Sequence, residues 1–174
     1  MKKSIFFLTM CLCCLASCTN EKQFDEDLQV AWHKMIKTVI GSSVVCDETA
    51  EVWRAAIHEN KTPSGKYCSD FNDALEELYK RNEKEGVYDS IESFKDAMQQ
   101  ATSKLNDPPS SRKDCYNDFV EIVSEVSALS RMATNPKGSL NSYNEEGNEI
   151  SESIAKKIDQ FKIKYAQIIK FGEE

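Results

Sequence analysis

Between Phe24 and Glu59 apolar side chains recur in one unbroken phase, and no other feature restricts the possible folds so strongly. Trp32, Ile36, Val39, Cys46, Ala50, Trp53 and Ile57 alternate steps of four and three, with Ser43 the one polar residue in the series. A turn normally resets helical register, yet this phase passes straight through Gly41-Ser42-Ser43. The expectation is one helix of about 36 residues, roughly 54 Å long at 1.5 Å per residue. Gly41 weakens it by about 1 kcal/mol relative to alanine, so the helix bends there or, as the alternative, breaks.

A second long phase closes the chain. Leu140, Tyr143, Gly147, Ile150, Ile154, Ile158, Phe161, Tyr165 and Ile168 stay in register for about 30 residues. Ser139 can cap this helix, with Ser142-x-x-Glu145 as a second start. Three shorter helices lie between. One runs from Ser69 to Glu85 on Phe71, Leu75 and Leu78, and Gly86 follows it as a C′ residue. The next opens at Asp89-Ser90-Ile91-Glu92, which has the form of a capping box, and buries Ile91, Phe94, Met98, Ala101 and Leu105. Pro108 and Pro109 stop it, and Ser110 or Ser111 caps a fourth helix on Tyr116, Phe119, Val123, Val126, Leu129 and Ala133. The fold class is therefore all-α: an up-and-down bundle of five helices with long first and last members, forming a single domain over residues 24–172. Short connections favour antiparallel neighbours. Strict alternation places the loops 60–67 and 106–113 together at the end remote from the start of helix one, with 86–89 and 135–139 at the near end.

The first seventeen residues belong to a different class of segment. Lys2 and Lys3 precede an apolar run from Ile5 to Leu15, followed by Ala16-Ser17. This is the three-part pattern of a secretory signal peptide, too short for a membrane span of about 20 residues. Leu15-Ala16-Ser17-Cys18 resembles the lipobox of bacterial lipoproteins. The resemblance implies cleavage before Cys18, a diacylglycerol on its thiol, palmitate-type acylation and a place in the cell envelope. The expected address is the outer membrane, periplasmic or surface-exposed, with residues 18–23 as a lipidated tether. Glu21 and Asp25–Asp27 resemble the acidic export signals of some surface lipoproteins, although helix N-termini favour the same residues. The Pro136-x-Gly138-Ser139-Leu140 junction before a long last helix is similar to that of small helical bacterial lipoproteins of uncharacterised role; it implies no activity.

Charge narrows the partners. The chain carries a net −7, and losing Lys2 and Lys3 with residues 1–17 makes the mature side chains −9. Such a body disfavours nucleic acid and is repelled by an anionic bilayer, so attachment rests on the lipid and not on a basic patch. Of seven cysteines, three remain beyond Cys18: Cys46, Cys68 and Cys115. Their spacing is unlike a zinc site, and an exported chain permits a disulfide. On the alternating topology Cys68 and Cys115 share one end and form the candidate pair; three reduced thiols, with Cys46 buried as a small apolar residue, is the other reading.

No catalytic, metal or cofactor signature emerges. His33 and His58 fall about 37 Å apart on helix one. Asp47-Glu48, Glu76-Glu77 and Glu145-Glu146 point about 100° apart as helical neighbours and read as solvated faces. Trp32 and Trp53 read as core. What is left is the loops at the remote end, with Lys61, Lys66, Tyr67 and Arg112 as candidate binding residues. The reading is a non-enzymatic, lipid-anchored envelope bundle that binds a protein or another envelope component there. The alternative is a small-ligand or lipid carrier using apolar space between helices one, four and five.

Overall fold

The computed structural model describes residues 2–171, with side chains described from Asn20 onward. The expected signal peptide and Cys18 lie outside the described side chains. Five α-helices form the bundle: α1 (Lys2–Glu59), α2 (Phe71–Lys84), α3 (Val87–Ser103), α4 (Lys113–Thr134) and α5 (Leu140–Tyr165), with a short 3-10 turn at Ser110–Arg112 before α4. Among the described residues the nearest approach to a strand is one isolated bridge, Lys61 to Tyr67. No helix of the described residues is long and apolar enough to cross a membrane. The all-α helical bundle expected from the periodicity is present.

Helix α1 is unbroken through Gly41, and packing explains why a glycine stands there. A Cβ on Gly41 would lie 3.1 Å from Ile91 Cδ1 and 3.3 Å from the Phe94 ring, so the missing side chain lets α3 approach closely. One residue on, the buried Ser42 hydroxyl bonds to Ser130 of α4 at 2.9 Å. The buried stripe runs Phe24, Leu28, Ala31, Met35, Thr38, Ser42, Val45, Thr49 and Ala56, with Trp32, Cys46 and Trp53 at its flank. It is centred about one residue before the expected seam: Ile36, Val39 and Ala50 are only partly buried and Ile57 is exposed. Thr38 and Thr49 enter the core because each hydroxyl donates to the carbonyl four residues earlier, Lys34 and Val45, at 2.8 Å. A buried hydroxyl with a partner avoids most of the penalty of desolvation.

Strict alternation does not hold, and the loop positions that depend on it are corrected. Glu48 of α1 pairs with Arg81 and Asn82 near the end of α2. Gly41 meets Ile91 and Phe94 in α3, and Thr38 donates to the Phe94 carbonyl. Asp25 receives both arms of Arg112, after α3 has ended. Residue numbers in α2 and α3 thus rise as those in α1 fall, so both helices run antiparallel to α1, end to end. Between them lies a bend at Glu85 and Gly86, where Gly86 adopts φ 70°. The two residues between the helices bend the chain there but do not turn it back on itself. Helix α3 begins directly at Val87, ahead of the Asp89 cap read from the sequence. Helix α4 is parallel to α1 (Arg112 at Asp25, Ser130 at Ser42) and α5 is antiparallel to it (Tyr143 beside Trp53, Phe161 on Trp32). The architecture is a four-layer antiparallel bundle whose second layer is the bent pair α2–α3.

Two aromatic groups fill the core on either side of Gly41. Trp32 stacks on Phe161 at 5.4 Å and meets Phe171 edge-on at 5.0 Å, while Phe119 and Tyr165 extend the group. Trp53 lies 5.8 Å from Phe71 and 5.9 Å from Tyr143. Replacing Gly41 with leucine should force Ile91 and Phe94 apart and lower unfolding free energy by about 2 kcal/mol, the usual cost of overpacking. Ile163→Ala, at a position 82 % exposed, should change it by less than about 0.5 kcal/mol. Urea denaturation of the two variants measures the contrast.

Candidate functional site

The chain's two ends differ in what they present. At the C-terminal end of α1, Asn60 takes φ 53° and ends the helix. The next residues fold into a small hairpin. Cys68 N–H donates to the Asn60 carbonyl, Thr62 N–H to Lys66, and Gly65 N–H to Thr62, all at 2.9 Å. Gly65 sits at φ 79° in open space, as that turn requires. Glu77 of α2 braces the tip by accepting from Ser64 N–H at 2.9 Å, and its carboxyl lies below the ordinary glutamate range, chiefly through the Ser64 hydroxyl. On this braced frame Tyr67 is 79 % exposed, and Ile57 and Phe71 at the same end are also exposed. Lys66 and Lys61 flank the tip, with Lys61 paired to Glu59 at 3.0 Å.

Arg112, grouped with this loop on the alternating topology, is at the opposite end. Its guanidinium forms a two-pronged pair with Asp25 at 2.8 and 2.9 Å and approaches Glu21 at 3.8 Å; Ser111 donates to Glu21 at 2.7 Å. The hydrogen bond to Asp25 is the largest cause holding the Arg112 proton more tightly than usual. Residues 20–23, expected as tether, lie inside α1. Beside this clasp the chain end packs on α1: Gln29 donates to the Lys170 carbonyl at 3.0 Å and accepts from Lys170 N–H at 2.9 Å. Between these groups opens a cleft of about 680 Å³ lined by Glu21, Lys22, Asp25, Glu26, Arg112 and Lys170, among others. Sequence reading missed it because its walls meet only once the directions of α3 and α4 are known.

The candidate disulfide is corrected for the same reason. Cys68 packs with Ala56 and Ala74, whereas Cys115 is in the main core beside the Asp25 end. Asp25 and Ala56 are about 46 Å apart along α1 at ~1.5 Å per residue, far beyond the roughly 7 Å that a disulfide allows. Cys46, Cys68 and Cys115 are three separate buried thiols. Burial pushes Cys46 up to about 11 and Cys115 up to about 12. Tyr143, whose hydroxyl is buried without a hydrogen bond, lies against Cys46 and Thr49, which point to the Leu129 and Val45 carbonyls instead. Burial raises its proton affinity strongly.

Elsewhere, ion pairs tie α4 to α5: Lys157 bridges Glu121 at 2.8 Å and Glu125 at 3.2 Å, and Asp118 accepts from Lys164 and Tyr165 at 2.8 and 2.7 Å. Partial burial by itself would raise Asp118, but these bonds outweigh it and hold the carboxyl below its ordinary range. His33 contacts Gln29 at 3.4 Å, and His58 stands exposed in the last turn of α1. Among the described residues no three His, Cys, Asp or Glu side chains gather as a metal ion would need. The recess bordered by α1, α4 and α5 near Cys46 and Tyr143 holds only about 60 Å³.

No protein-family model, curated protein or solved structure matches the chain.

The raised thiols set a chemical expectation. A thiol attacks only as thiolate, so at pH 8, well below both raised values, Cys46 and Cys115 stay protonated as well as covered. Iodoacetamide under native conditions should leave both unmodified, and in guanidinium without reductant Cys46, Cys68 and Cys115 should all be alkylated. Peptide mass spectrometry reads both results; an unalkylated pair in guanidinium would reinstate a disulfide.

Proposed function

We propose that the chain is a non-enzymatic bacterial envelope lipoprotein, anchored through a diacylglycerol on Cys18 and presenting the 60–68 hairpin to a protein partner. The observation that carries the binding part is Tyr67. An aromatic ring 79 % exposed on a hydrogen-bonded turn, braced from α2 by Glu77, loses little freedom when a partner covers it. Tyrosines of this kind dominate the binding energy of many protein interfaces. The anchor rests on the sequence: Lys2 and Lys3, the apolar run and Leu15-Ala16-Ser17-Cys18. The acidic composition supports a lipid, and not electrostatics, as the means of attachment, and an outer-membrane address follows from the same resemblance.

Packing favours this reading over a carrier with a ligand between α1, α4 and α5. Trp32, Phe119, Phe161 and Tyr165 occupy that space, and the recess shared by the three helices is too small for a drug-sized ligand.

Two measurements test the proposal. Intact mass of protein extracted from membranes should show loss of residues 1–17 and a diacylglyceryl addition, and Cys18→Ala should move the protein to the soluble fraction. Photo-crosslinking in intact envelopes should give a discrete adduct that falls at least about tenfold in a Lys61→Ala, Lys66→Ala, Tyr67→Ala triple variant. Ile163→Ala, at a position 82 % exposed on α5, should leave it unchanged. Equal adducts in all three proteins would remove the hairpin as the binding surface.

A further inference from the structure

The cleft at the Arg112 end stands next to the proposed lipid, and it carries charges of both signs. Glu21 and Lys22, on its wall, follow Cys18 by three and four residues, a separation of at most about 14 Å even fully extended. The leaflet that holds the anchor therefore reaches this end of the bundle first. Three carboxylates (Glu21, Asp25, Glu26) and three cations (Lys22, Arg112, Lys170) line the cleft. Such a balanced set complements a group that carries both signs. Arg112 and Asp25 are committed to each other, but Lys22 and Glu26 form only a long, solvated pair at 3.7 Å, with side chains 80 % and 60 % exposed. Pairs of that kind contribute little and exchange partners at small cost.

Resting on the anchor reading, we propose that this cleft takes the zwitterionic headgroups of the leaflet that carries the lipid. Lys22 meets the phosphate and Glu26 the ammonium, and Arg112 with Asp25 holds the wall in place. The body then docks end-on. Helix α1 runs without a break from Glu21 to Glu59, so the hairpin stands about 57 Å from that surface at ~1.5 Å per residue. A side-on pose would lay a strongly acidic body along the bilayer. End-on docking confines contact to a cleft where the charges balance.

The test uses the lipidated protein, with its diacylglyceryl group checked by intact mass, in detergent micelles and in two kinds of vesicle. One is an equal mixture of phosphatidylethanolamine and phosphatidylcholine; the other is phosphatidylglycerol. Lysine acylation, read by peptide mass spectrometry, is followed at Lys22 and at Lys66 in the hairpin. Lys22 labelling should fall at least about fivefold from micelles to zwitterionic vesicles and by less than about twofold in phosphatidylglycerol, with Lys66 unchanged throughout. Glu26→Gln should weaken the protection of Lys22. Equal protection of Lys22 in both vesicles, or none in either, overturns headgroup recognition, and protection of Lys66 overturns the end-on pose. A protein that lacks the diacylglyceryl group overturns the anchor and this proposal together, whereas a lipidated protein with equal labelling overturns this proposal alone.

Discussion

The contact of α1 with α3 and α4 at Gly41 and Ser42 sets the geometry on which the bundle depends. With no side chain at Gly41, Ile91 and Phe94 press against the α1 backbone itself, and on the adjoining face the Ser42–Ser130 hydroxyl pair brings α4 equally near. Three helices can meet this closely because the residues at the crossing are small and their hydroxyls are paired. Dispersion between close-packed atoms is small per contact and large in sum. That closeness offsets the weak helix propensity of a Gly-Ser-Ser run and explains why α1 does not break. The two tryptophan-centred groups then fill the wider spaces on either side, Trp32 toward the Arg112 end and Trp53 toward the hairpin.

Much of this was legible along the chain, and what failed did so for identifiable reasons. Persistent phase from Trp32 to Trp53 revealed the long helix, and Tyr143, Ile154, Phe161 and Tyr165 revealed the last one, because a buried stripe must repeat wherever a helix stays straight. Gly86 and Ser139 mark their turns through local backbone chemistry that needs no tertiary context: a left-handed φ at one, a capping box with Ser142 at the other. The centre of the α1 stripe was displaced because Thr38, Ser42 and Thr49 are polar by composition, yet Thr38 and Thr49 bond to carbonyls of their own helix and Ser42 to Ser130 of α4. Residue type records the hydroxyl; only the backbone geometry shows that it costs little to bury.

Direction was the larger failure. A helix boundary is visible in sequence, but whether the chain reverses there is not. Gly86 ends α2 in the way a hairpin would begin, yet the path only bends there. Two short helices, of 14 and 17 residues, together match the buried length of α1, which either alone would leave half uncovered. Burying that length is worth more than making an extra turn, at roughly 25 cal/mol for each Å² of apolar surface removed from water. The inferences that counted reversals therefore moved. Arg112 left the hairpin, the Asn135–Ser139 turn joined it, and Cys68 and Cys115 were separated by most of the molecule.

Restoring the direction also separates the two ends by physical character. Around Arg112 the polar groups are matched: Asp25, Glu21 and Ser111 in the clasp, Gln29 with the Lys170 backbone beside it. Such pairs keep their value only where water or another polar medium can take up the remaining lone pairs and charges. The hairpin end instead leaves Tyr67, Ile57 and Phe71 partly in water while backbone hydrogen bonds hold its turn. A rigid backbone with uncovered apolar side chains gains free energy when a complementary surface excludes that water, and little entropy remains to be lost. If Cys18 carries the lipid, the polar end is the one nearest the headgroups and the apolar end the one farthest from them.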